Sequence, residues 1–344
     1  MHTPLPSKSL LAAPPVPDDI VDALGEFAAP VVITHVVPDA DALGGMFALA
    51  LAGPWDRRRV RVALPHGSLS QRLTFMLDWS NVTVATPDDF AAADGFVALD
   101  TAKVERCNVG ELLKGTDWSA GRPILNIDHH QTNTRFGNVN WVVDDAGSTC
   151  ELVYHYLRAA DRPIDAVTAS LLYAGIHTDT LGFSLPTTSA SALTAAADLV
   201  ACGADVAELG PHLYRQRKSE FDLLRVVYAN TRIVADGLIV YSFASYDEIK
   251  DAGCTAADID DQISVPRSLA GARLALLFTE GNKGKTRINF RSANRISVLE
   301  LAAQFKGGGH YHAAGAVLNC PLQEAIDQVI PRAVEHLASH DKHT

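Results

Sequence analysis

Short apolar runs alternate with helical patterns over the first part of the chain. Five runs of strand length are rich in Val, Ile and other apolar residues: 31–36, 59–64, 82–85, 96–100 and 123–128. Helical patterns at 41–52 and 69–78 stand between them. Strands that alternate with helices predict βαβ units, and hence an α/β fold with a parallel sheet and helices on both of its faces.

The pattern changes after a mainly helical stretch that extends from Gly147 to about residue 228. Asp236-Gly237 lies between two apolar runs, and Gly281–Gly284 separates two more, so both places predict β-hairpins. A helix is expected at about 322–339 to close the chain. We therefore predict a second, smaller α+β domain, with the boundary near residues 215–230. The full division is a flexible Pro-rich arm (1–19), an α/β domain (20–200), a helical linker (201–229) and the second domain (230–344).

Composition narrows the class of protein. The 344 residues are 47% hydrophobic and carry a formal net charge of −11, which suits a two-domain globular protein and argues against a broad nucleic-acid-coating surface. We expect no membrane association, because no apolar run approaches the roughly 20 residues that span a bilayer. The five cysteines are widely scattered without a CxxC pair, which predicts reduced thiols and a cytoplasmic location.

Carboxylates and imidazoles follow several of the predicted strands. The carboxyl ends of parallel strands meet at one sheet edge, where ligands of open α/β sheets bind. The candidates there are His35, Asp39, Asp41, Asp100, Asp128, His129 and His130. Asp179 follows a predicted helix, and the neighbouring His177 is expected to pack locally. Asp39 could instead only cap the next helix, but a cap needs neither His35 nor a second Asp.

Several carboxylates in one cleft repel one another unless cations neutralise them. A mixed set of carboxylate and imidazole ligands without Cys suits Mn²⁺ or a similar ion better than a structural zinc. Two such ions can clamp a phosphoryl group during in-line displacement. The residues alone therefore predict a two-metal hydrolase of phosphoesters.

A glycine run near the C-terminus lies in a basic region. Gly307–Gly309 followed by His310 could let backbone amides approach an anion, although a plain turn is the default interpretation. Residues 264–312 contain eight Lys or Arg and two Glu, a net charge of +6, whereas residues 1–263 carry −15. Arg291 is the best-placed cation, while Lys283 and Lys285 fit a solvated hairpin face.

Five motifs occur in the order found in one known family: HVVPDADALGG, ALDTA, NIDHHQTN, GIHTDTLGF and GGGHYHAAGA. Together they span about residues 31–317 and resemble the DHH phosphoesterase superfamily with its DHH-associated C-terminal domain. Within it, the chain is most similar to the two-domain NrnA type, the nanoRNases and pAp phosphatases. Val37 and Gly45 depart from the residues that the family often has there, but neither is an expected metal ligand.

The resemblance implies roles for individual residues. His35 and Asp39 would hold one Mn²⁺, while Asp41, His129 and Asp179 would hold the other. Asp100 would bridge both ions. His130 would contact the scissile phosphate or assist the leaving group, and Asp128 would orient the histidines. Substrate contacts in the second domain are implied for Arg291, Gly308, Gly309, His310, Arg267 and Asn294.

The resemblance also implies the reaction. The expected enzyme uses two Mn²⁺, with Mg²⁺ or Co²⁺ as substitutes. It would degrade very short RNA or DNA oligonucleotides to 5′-mononucleotides and hydrolyse 3′-phosphoadenosine 5′-phosphate (pAp). The alternatives are a RecJ-like single-strand DNA exonuclease, a type II pyrophosphatase, a cyclic di-AMP or pApA phosphodiesterase, and a non-catalytic nucleotide sensor. Digestion polarity, RNA or DNA preference and oligomeric state stay open, with a homodimer as the candidate assembly.

Overall fold

The computed structural model describes residues 13–64, 69, 71–107, 109, 119–255, 259–293, 296–309 and 311–341. The chain divides into two compact units, Met1–Arg215 and Gln216–Thr344. The division falls inside the segment 201–229 that the sequence predicted as a linker. Because of it, the two helices of that segment belong to different units.

Unit 1 contains a five-stranded parallel sheet in the order β2-β1-β3-β4-β5. Its strands are β1 (Val31–Ile33), β2 (Arg61–Val62), β3 (Phe96–Leu99), β4 (Ile124–Asp128) and β5 (Val139–Val142). The predicted α/β class with a parallel sheet is confirmed. Some details differ. Strands β1 and β2 are shorter than the predicted runs 31–36 and 59–64, and the run 82–85 forms only an isolated bridge through Val84. Strand β5, in which only Trp141 is buried, was not predicted.

Helices cover both faces of this sheet. They are α1 (Asp18–Glu26), α2 (Ala40–Ala52), α3 (Thr74–Ser80), α4 (Pro87–Ala92), α5 (Thr149–Ala159), α6 (Ala166–Asp179), α7 (Ala190–Ala201) and α8 (Val206–Tyr214). Side chains alternate along β1: Val32 packs into the core with α2, α5 and α6, whereas Val31 and Ile33 pack into a second core with Phe90 of α4. Helix α2 is buried along nearly its whole length, as expected for an apolar helix between a sheet and other helices.

Two observations concern the expectations for the N-terminus and the membrane. Helix α1 begins at Asp18, so the last two residues of the predicted 1–19 arm are helical. Within the described ranges, no single helix is long and apolar enough to cross a membrane, although the bent pair α7 and α8 would meet the length and composition requirement together.

Unit 2 is built on a six-stranded mixed sheet in the order β10-β11-β9-β8-β7-β6. Its strands are β6 (Arg232–Val234), β7 (Ile239–Ala244), β8 (Leu274–Asn282), β9 (Lys285–Ser292), β10 (Gly308–Gly309) and β11 (Ala313–Leu318). Both predicted hairpins are present as the antiparallel pairs β6–β7 and β8–β9. Three successive positive φ angles, at Ala235, Asp236 and Gly237, form the first turn.

The helices of unit 2 pack against this sheet, and they include the predicted terminal helix. They are α9 (Lys218–Ala229), α10 (Tyr246–Asp251), α11 (Ser264–Arg267), α12 (Val298–Ala303) and α13 (Leu322–Asp341). Phe278 and Phe290 of the central strands pack with Leu301 of α12 and Val329 of α13 in one core. The predicted α+β class of the second domain is therefore confirmed.

Candidate functional site

Three neighbouring strands of unit 1 bring their carboxyl ends to one edge of the sheet, with polar side chains at each end. His35 lies two residues beyond β1, Asp100 directly follows β3, and Asp128 is the last residue of β4. His35 Nε2 is 3.5 Å from Asp100 Oδ2, and His129 Nε2 is 3.6 Å from Asp100 Oδ1. The edge of the sheet therefore gathers the predicted residues around Asp100.

Asp39 and Asp41 reach the same place from the start of α2. Asp39 is the N-cap of this helix, and its Oδ1 accepts hydrogen bonds from the amides of Asp41 and Ala42 at 3.1 and 3.0 Å. Asp39 therefore does cap the helix, but capping uses only one of its two carboxylate oxygens. Asp41 is buried and accepts from the amides of Thr149 and Cys150, at 2.7 and 2.8 Å. The N-terminus of α5 therefore holds the Asp41 carboxylate in place.

Groups of three side chains at this edge have the composition of metal sites. Within each group, one ligand atom per residue lies within 4.8 Å of the others. The groups are His35, Asp39 and Asp100; Asp41, His129 and Asp179; and Asp100, His129 and His130. The first two groups contain the residues that the resemblance assigns to two separate ions, and Asp100 occurs in the first and the third.

The histidines are oriented by neighbouring oxygens. His129 Nδ1 lies 3.3 Å from the Ala146 carbonyl, to which it would donate, and its Nε2 lies 3.3 Å from Asp179 Oδ2. Donation from Nδ1 leaves the lone pair of the neutral ring on Nε2, as a metal ligand requires. His35 Nδ1 is buried and makes no hydrogen bond. A buried polar atom without a hydrogen-bond partner costs free energy on folding. His35 belongs to one of the groups that could hold an ion.

The carboxylates destabilise one another in the absence of a cation. Burial, together with Asp100 and Asp179, raises the pKa of Asp41 well above its usual value. Burial, together with Asp39 and Asp100, does the same to the pKa of Asp179, which also lies at the C-terminal end of α6, where the helix dipole disfavours negative charge. Divalent cations would relieve both effects, so this donor set fits a metal centre.

Asp100 differs from the other carboxylates of the cluster. Burial works to raise its pKa, but the hydrogen bond with His35 and the charges of His130 and His129 outweigh burial and lower the pKa well below its usual range. Its Oδ1 also accepts from Thr149 Oγ1 at 3.0 Å. The backbone of Asp100 is left-handed, with φ 53°, which costs free energy for most side chains but is tolerated by Asp.

His130 belongs to a buried chain of hydrogen bonds beside the cluster. Its Nδ1 is 2.7 Å from Asp128 Oδ1, and Asn133 Nδ2 lies 2.5 Å from Asp128 Oδ2 and 2.8 Å from Asn126 Oδ1. Burial opposes ionisation of His130, but Asp128 and Asp100 raise its pKa to about 10. The chain fixes the ring and favours its positive charge.

Three residues of the site were missed by reasoning from the sequence. Thr149 bonds both Asp41 and Asp100, and Asn133 holds Asp128. Gly175 allows α6 to approach α2: a Cβ there would lie 2.9 Å from Asp41 Oδ1 and 2.2 Å from Cys150 Sγ. Asn133 and Gly175 were detectable, since Asn133 ends the NIDHHQTN motif and Gly175 begins the GIHTDTLGF motif. Thr149 acts through contacts that no local pattern reveals.

His177 takes no part in the metal-binding groups found among the described residues. Its ring stacks on Tyr173, with centroids 5.6 Å apart, and packs edge-on against Phe183 and Tyr214. It also hydrogen-bonds with the Tyr214 hydroxyl. The structure agrees with the expectation that His177 packs locally.

Three arginines of unit 2 line one small pocket of about 140 Å³. Arg291 lies on β9, Arg267 ends α11, and Arg273 immediately precedes β8. Arg267 and Arg291 were predicted as substrate contacts, whereas Arg273 was counted only as part of the basic region. Three guanidinium groups around a pocket of this size suit an anion such as phosphate.

The predicted glycine loop is only partly within the described residues. Gly308 and Gly309 form β10 and pair with β11, while His310 and the other predicted contact, Asn294, lie outside the described residues. Gly309 has φ 141°, and a Cβ there would come 2.5 Å from the Ala313 carbonyl, so the fold itself requires glycine. A Cβ at Gly308 would meet nothing within 4 Å, so this position leaves open space beside the backbone.

Comparisons with known proteins agree with this architecture. Residues 30–176 match the DHH family N-terminal domain, and residues 236–339 match the DHHA1 domain. The chain is 29% identical over 321 residues to the bifunctional oligoribonuclease and PAP phosphatase NrnA of Thermus thermophilus, which covers 92% of this chain and 93% of that protein. A protein of the same name from Mycoplasma genitalium is 28% identical over 328 residues, covering 93% of this chain and 97% of that one.

A solved structure supports the fold. The exopolyphosphatase-related protein from Bacteroides fragilis has a TM-score of 0.81 and 21% identity, covering 93% of this chain and 96% of that one. The likeness extends over nearly the full length of both chains.

Proposed function

We propose that this chain, which contains a DHH domain followed by a DHHA1 domain, is a metal-dependent hydrolase of very short oligonucleotides and of pAp. The oligonucleotides would be degraded to 5′-mononucleotides, and pAp would give AMP and phosphate. The observation that carries the proposal is the set of carboxylate and imidazole groups around Asp100. The names of the two relatives that match over most of the chain support the choice of substrates.

We propose that this centre holds two Mn²⁺, with Mg²⁺ or Co²⁺ as substitutes. His35 and Asp39 would bind one ion and Asp41, His129 and Asp179 the other, with Asp100 shared between them. When bound, the cations would supply Lewis-acid stabilisation of the phosphoryl oxygens. Hard oxygen donors together with imidazole suit these ions, and the ligand atoms within each group are close enough together to serve one ion.

His130 would act on the substrate directly. With Nδ1 bound to Asp128, Nε2 is the ring nitrogen that would donate to a phosphate oxygen or give a proton to the leaving oxygen. Asp128 and Asn133 would keep the ring in this orientation. A fixed donor needs no reorganisation when charge develops on the phosphoryl group.

Unit 2 would supply the anion-binding contacts that select short substrates. Arg267 and Arg291 would bind a substrate phosphate in the pocket that they line. We include Arg273 because it lines the same pocket. Gly308 and Gly309 belong to the same proposal, as do His310 and Asn294. We also propose a cytoplasmic location and a homodimer, to be tested by fractionation and light scattering.

The substrate preference can be measured in one panel. The protein with Mn²⁺ is given a two- to five-nucleotide RNA, a long single-stranded DNA, pAp, cyclic di-AMP and pyrophosphate. We expect turnover of the short RNA and of pAp. A preference for the long DNA would favour the RecJ-like alternative, and no turnover of any substrate would favour a nucleotide sensor.

The central role of Asp100 is tested by Asp100→Asn. Asn keeps the size of the side chain and tolerates the left-handed backbone, so the variant removes little except the charge. Hydrolysis should fall by about 100-fold or more, since a misplaced or missing ligand affects the whole centre. Asp144→Asn, at an exposed carboxylate of unit 1, is the matched control and should retain activity. Full activity in Asp100→Asn would contradict the proposal.

The pocket of unit 2 is tested separately with Arg291→Ala. This variant should weaken cleavage of short RNA far more than hydrolysis of an artificial aryl phosphodiester, which lacks a second phosphate to bind. Equal losses on the two substrates would show that Arg291 does not select the substrate.

A further inference from the structure

A second group of potential metal ligands lies in unit 2, among residues that the proposed hydrolysis does not use. Glu300 is on α12, while His336 and His340 are one turn apart on α13. One ligand atom from each residue lies within 4.8 Å of the other two. Side chains at positions i and i+4 share one face of a helix, so the two imidazoles can serve a single ion.

Backbone carbonyls set the protonation of both rings. His336 Nε2 donates to the Ser297 carbonyl at 2.8 Å, and His340 Nδ1 donates to the His336 carbonyl at 2.9 Å. In each neutral ring the other nitrogen then carries the lone pair. Donation of one N–H to a carbonyl is the arrangement that metal-binding histidines usually show.

The site has a rigid side and an adaptable side. His336 is buried, His340 is half-buried and Glu300 is exposed, so an ion has a path from solvent past the carboxylate. An ion with bonds of about 2.1 Å holds its ligand atoms no more than about 4.2 Å apart. The exposed Glu300 side chain is free to adjust to this separation.

We propose that Glu300, His336 and His340 bind one divalent transition-metal ion, for which Zn²⁺ is best suited. Two imidazoles and one carboxylate form a known zinc ligand set that a water molecule would complete, whereas carboxylates outnumber imidazoles among the ligands assigned to the ions around Asp100. This site is separate from the cluster around Asp100, with which it shares no residue.

The ion would fasten α12 to α13 next to the arginine pocket. Ser297, whose carbonyl accepts from His336, is the N-cap of α12. The Ile296 carbonyl accepts from Ser292 Oγ at 2.6 Å, and Ser292 lines the pocket with Arg291. Metal binding should therefore stabilise the segment that begins α12, independently of the proposed hydrolysis.

The test counts bound Zn²⁺ and does not depend on activity. The full-length protein is titrated with Zn²⁺ against a chromophoric chelator, and bound ions are counted by native mass spectrometry. The parent protein should bind one more Zn²⁺ than His340→Gln or Glu300→Gln, or bind that ion at least about tenfold more tightly. Glu335→Gln, an exposed carboxylate on the same helix, should behave like the parent protein.

The same titration separates this site from the cluster in unit 1. Asp100→Asn should retain the ion that His340→Gln loses, whether or not the protein hydrolyses pAp. If His340→Gln fails to fold, as judged by circular dichroism, the exposed Glu300→Gln decides the question. Equal Zn²⁺ content and affinity in the parent protein and in the folded variants would overturn the proposal.

Discussion

The close approach of α6 to α2 gives a sharp prediction for Gly175. In Gly175→Ala the added Cβ would lie 2.2 Å from Cys150 Sγ, 2.9 Å from Asp41 Oδ1 and 3.0 Å from Asp41 Cα. All three distances are shorter than an ordinary van der Waals contact, so Asp41 or Cys150 must move. Because Asp41 is held by two amides of α5, its carboxylate cannot shift without losing hydrogen bonds.

The effect on stability should be modest. Overpacking costs about 1–3 kcal/mol, while Ala gains about 1 kcal/mol over Gly inside a helix. The net loss in the free energy of unfolding is therefore about 0–2 kcal/mol. At about 2–4 °C per kcal/mol for a unit of this size, Tm should fall by no more than about 8 °C.

The effect on activity should be much larger. A displacement of about 1 Å in a reacting site can cost about 100-fold in rate, and Asp41 is a proposed metal ligand. We therefore expect kcat for pAp with Mn²⁺ to fall by about 100-fold in protein that remains folded at the assay temperature. The assay follows phosphate release, with Mn²⁺ binding measured in parallel so that loss of the ion can be separated from loss of turnover.

A control glycine separates sterics from helix propensity. Gly25 lies in the last turn of α1, where a Cβ would meet nothing within 4 Å apart from its chain neighbours. Gly25→Ala should keep full activity and gain up to about 1 kcal/mol in stability. Cys150→Ala in the Gly175→Ala background removes the closest contact and should recover part of the lost stability. Full activity and unchanged Mn²⁺ affinity in Gly175→Ala would refute the reasoning.

Two further predictions concern charge. In the absence of metal, Asp179→Asn should be at least as stable as the parent protein, because burial, Asp39 and Asp100 all disfavour the carboxylate. Mn²⁺ at 100 times its Kd should raise the free energy of unfolding of the parent by about 2.7 kcal/mol and that of the variant by clearly less, as measured by thermal unfolding. An equal gain in both proteins would contradict the role of Asp179 as a metal ligand. The pKa of Glu248 is lowered by the Ser245 amide and by Asn230, which outweigh burial. Its ionised form therefore stabilises unit 2 above the unfolded-state pKa, and this contribution is lost as pH falls through the folded-state pKa. The stability advantage of the parent over Glu248→Gln, below about 1 kcal/mol, should be present near pH 7 and be lost in acid as the pH falls below the folded-state pKa. An advantage that persists unchanged in strong acid would contradict this cause.

The sequence was informative where chemistry follows strand ends. His35, Asp100 and Asp128 could be placed at one sheet edge because parallel strands present their carboxyl ends together. Asp39 and Asp41 could be added because they begin the helix after β1. What brings these residues together is topology, which the alternation of apolar runs and helical patterns already specifies.

The supporting residues could not be predicted in the same way. Thr149 is 108 residues from Asp41, which its amide contacts, and Gly175 matters because of Cys150 Sγ, which belongs to another helix. Arg273 joins the arginine pocket because β8 and β9 pair in register, with Ala275 opposite Arg291. Each of these contacts depends on helix packing or strand register, and neither is encoded by the spacing of residues within one segment.

The helix termini next to Asp41 and Asp179 explain why the cluster needs cations. The N-terminus of α5 donates two amides to Asp41, so the fold itself compensates part of that charge. Asp179 ends α6, where the helix dipole adds to the repulsion from the other carboxylates. Asp41 is therefore positioned before an ion arrives, whereas the charge of Asp179 is opposed only in part by His130 and would, on the proposed function, be balanced by the ion itself. This division predicts that metal removal loosens the C-terminal turn of α6 before it disturbs the start of α2, a difference that hydrogen exchange at the two helices would show.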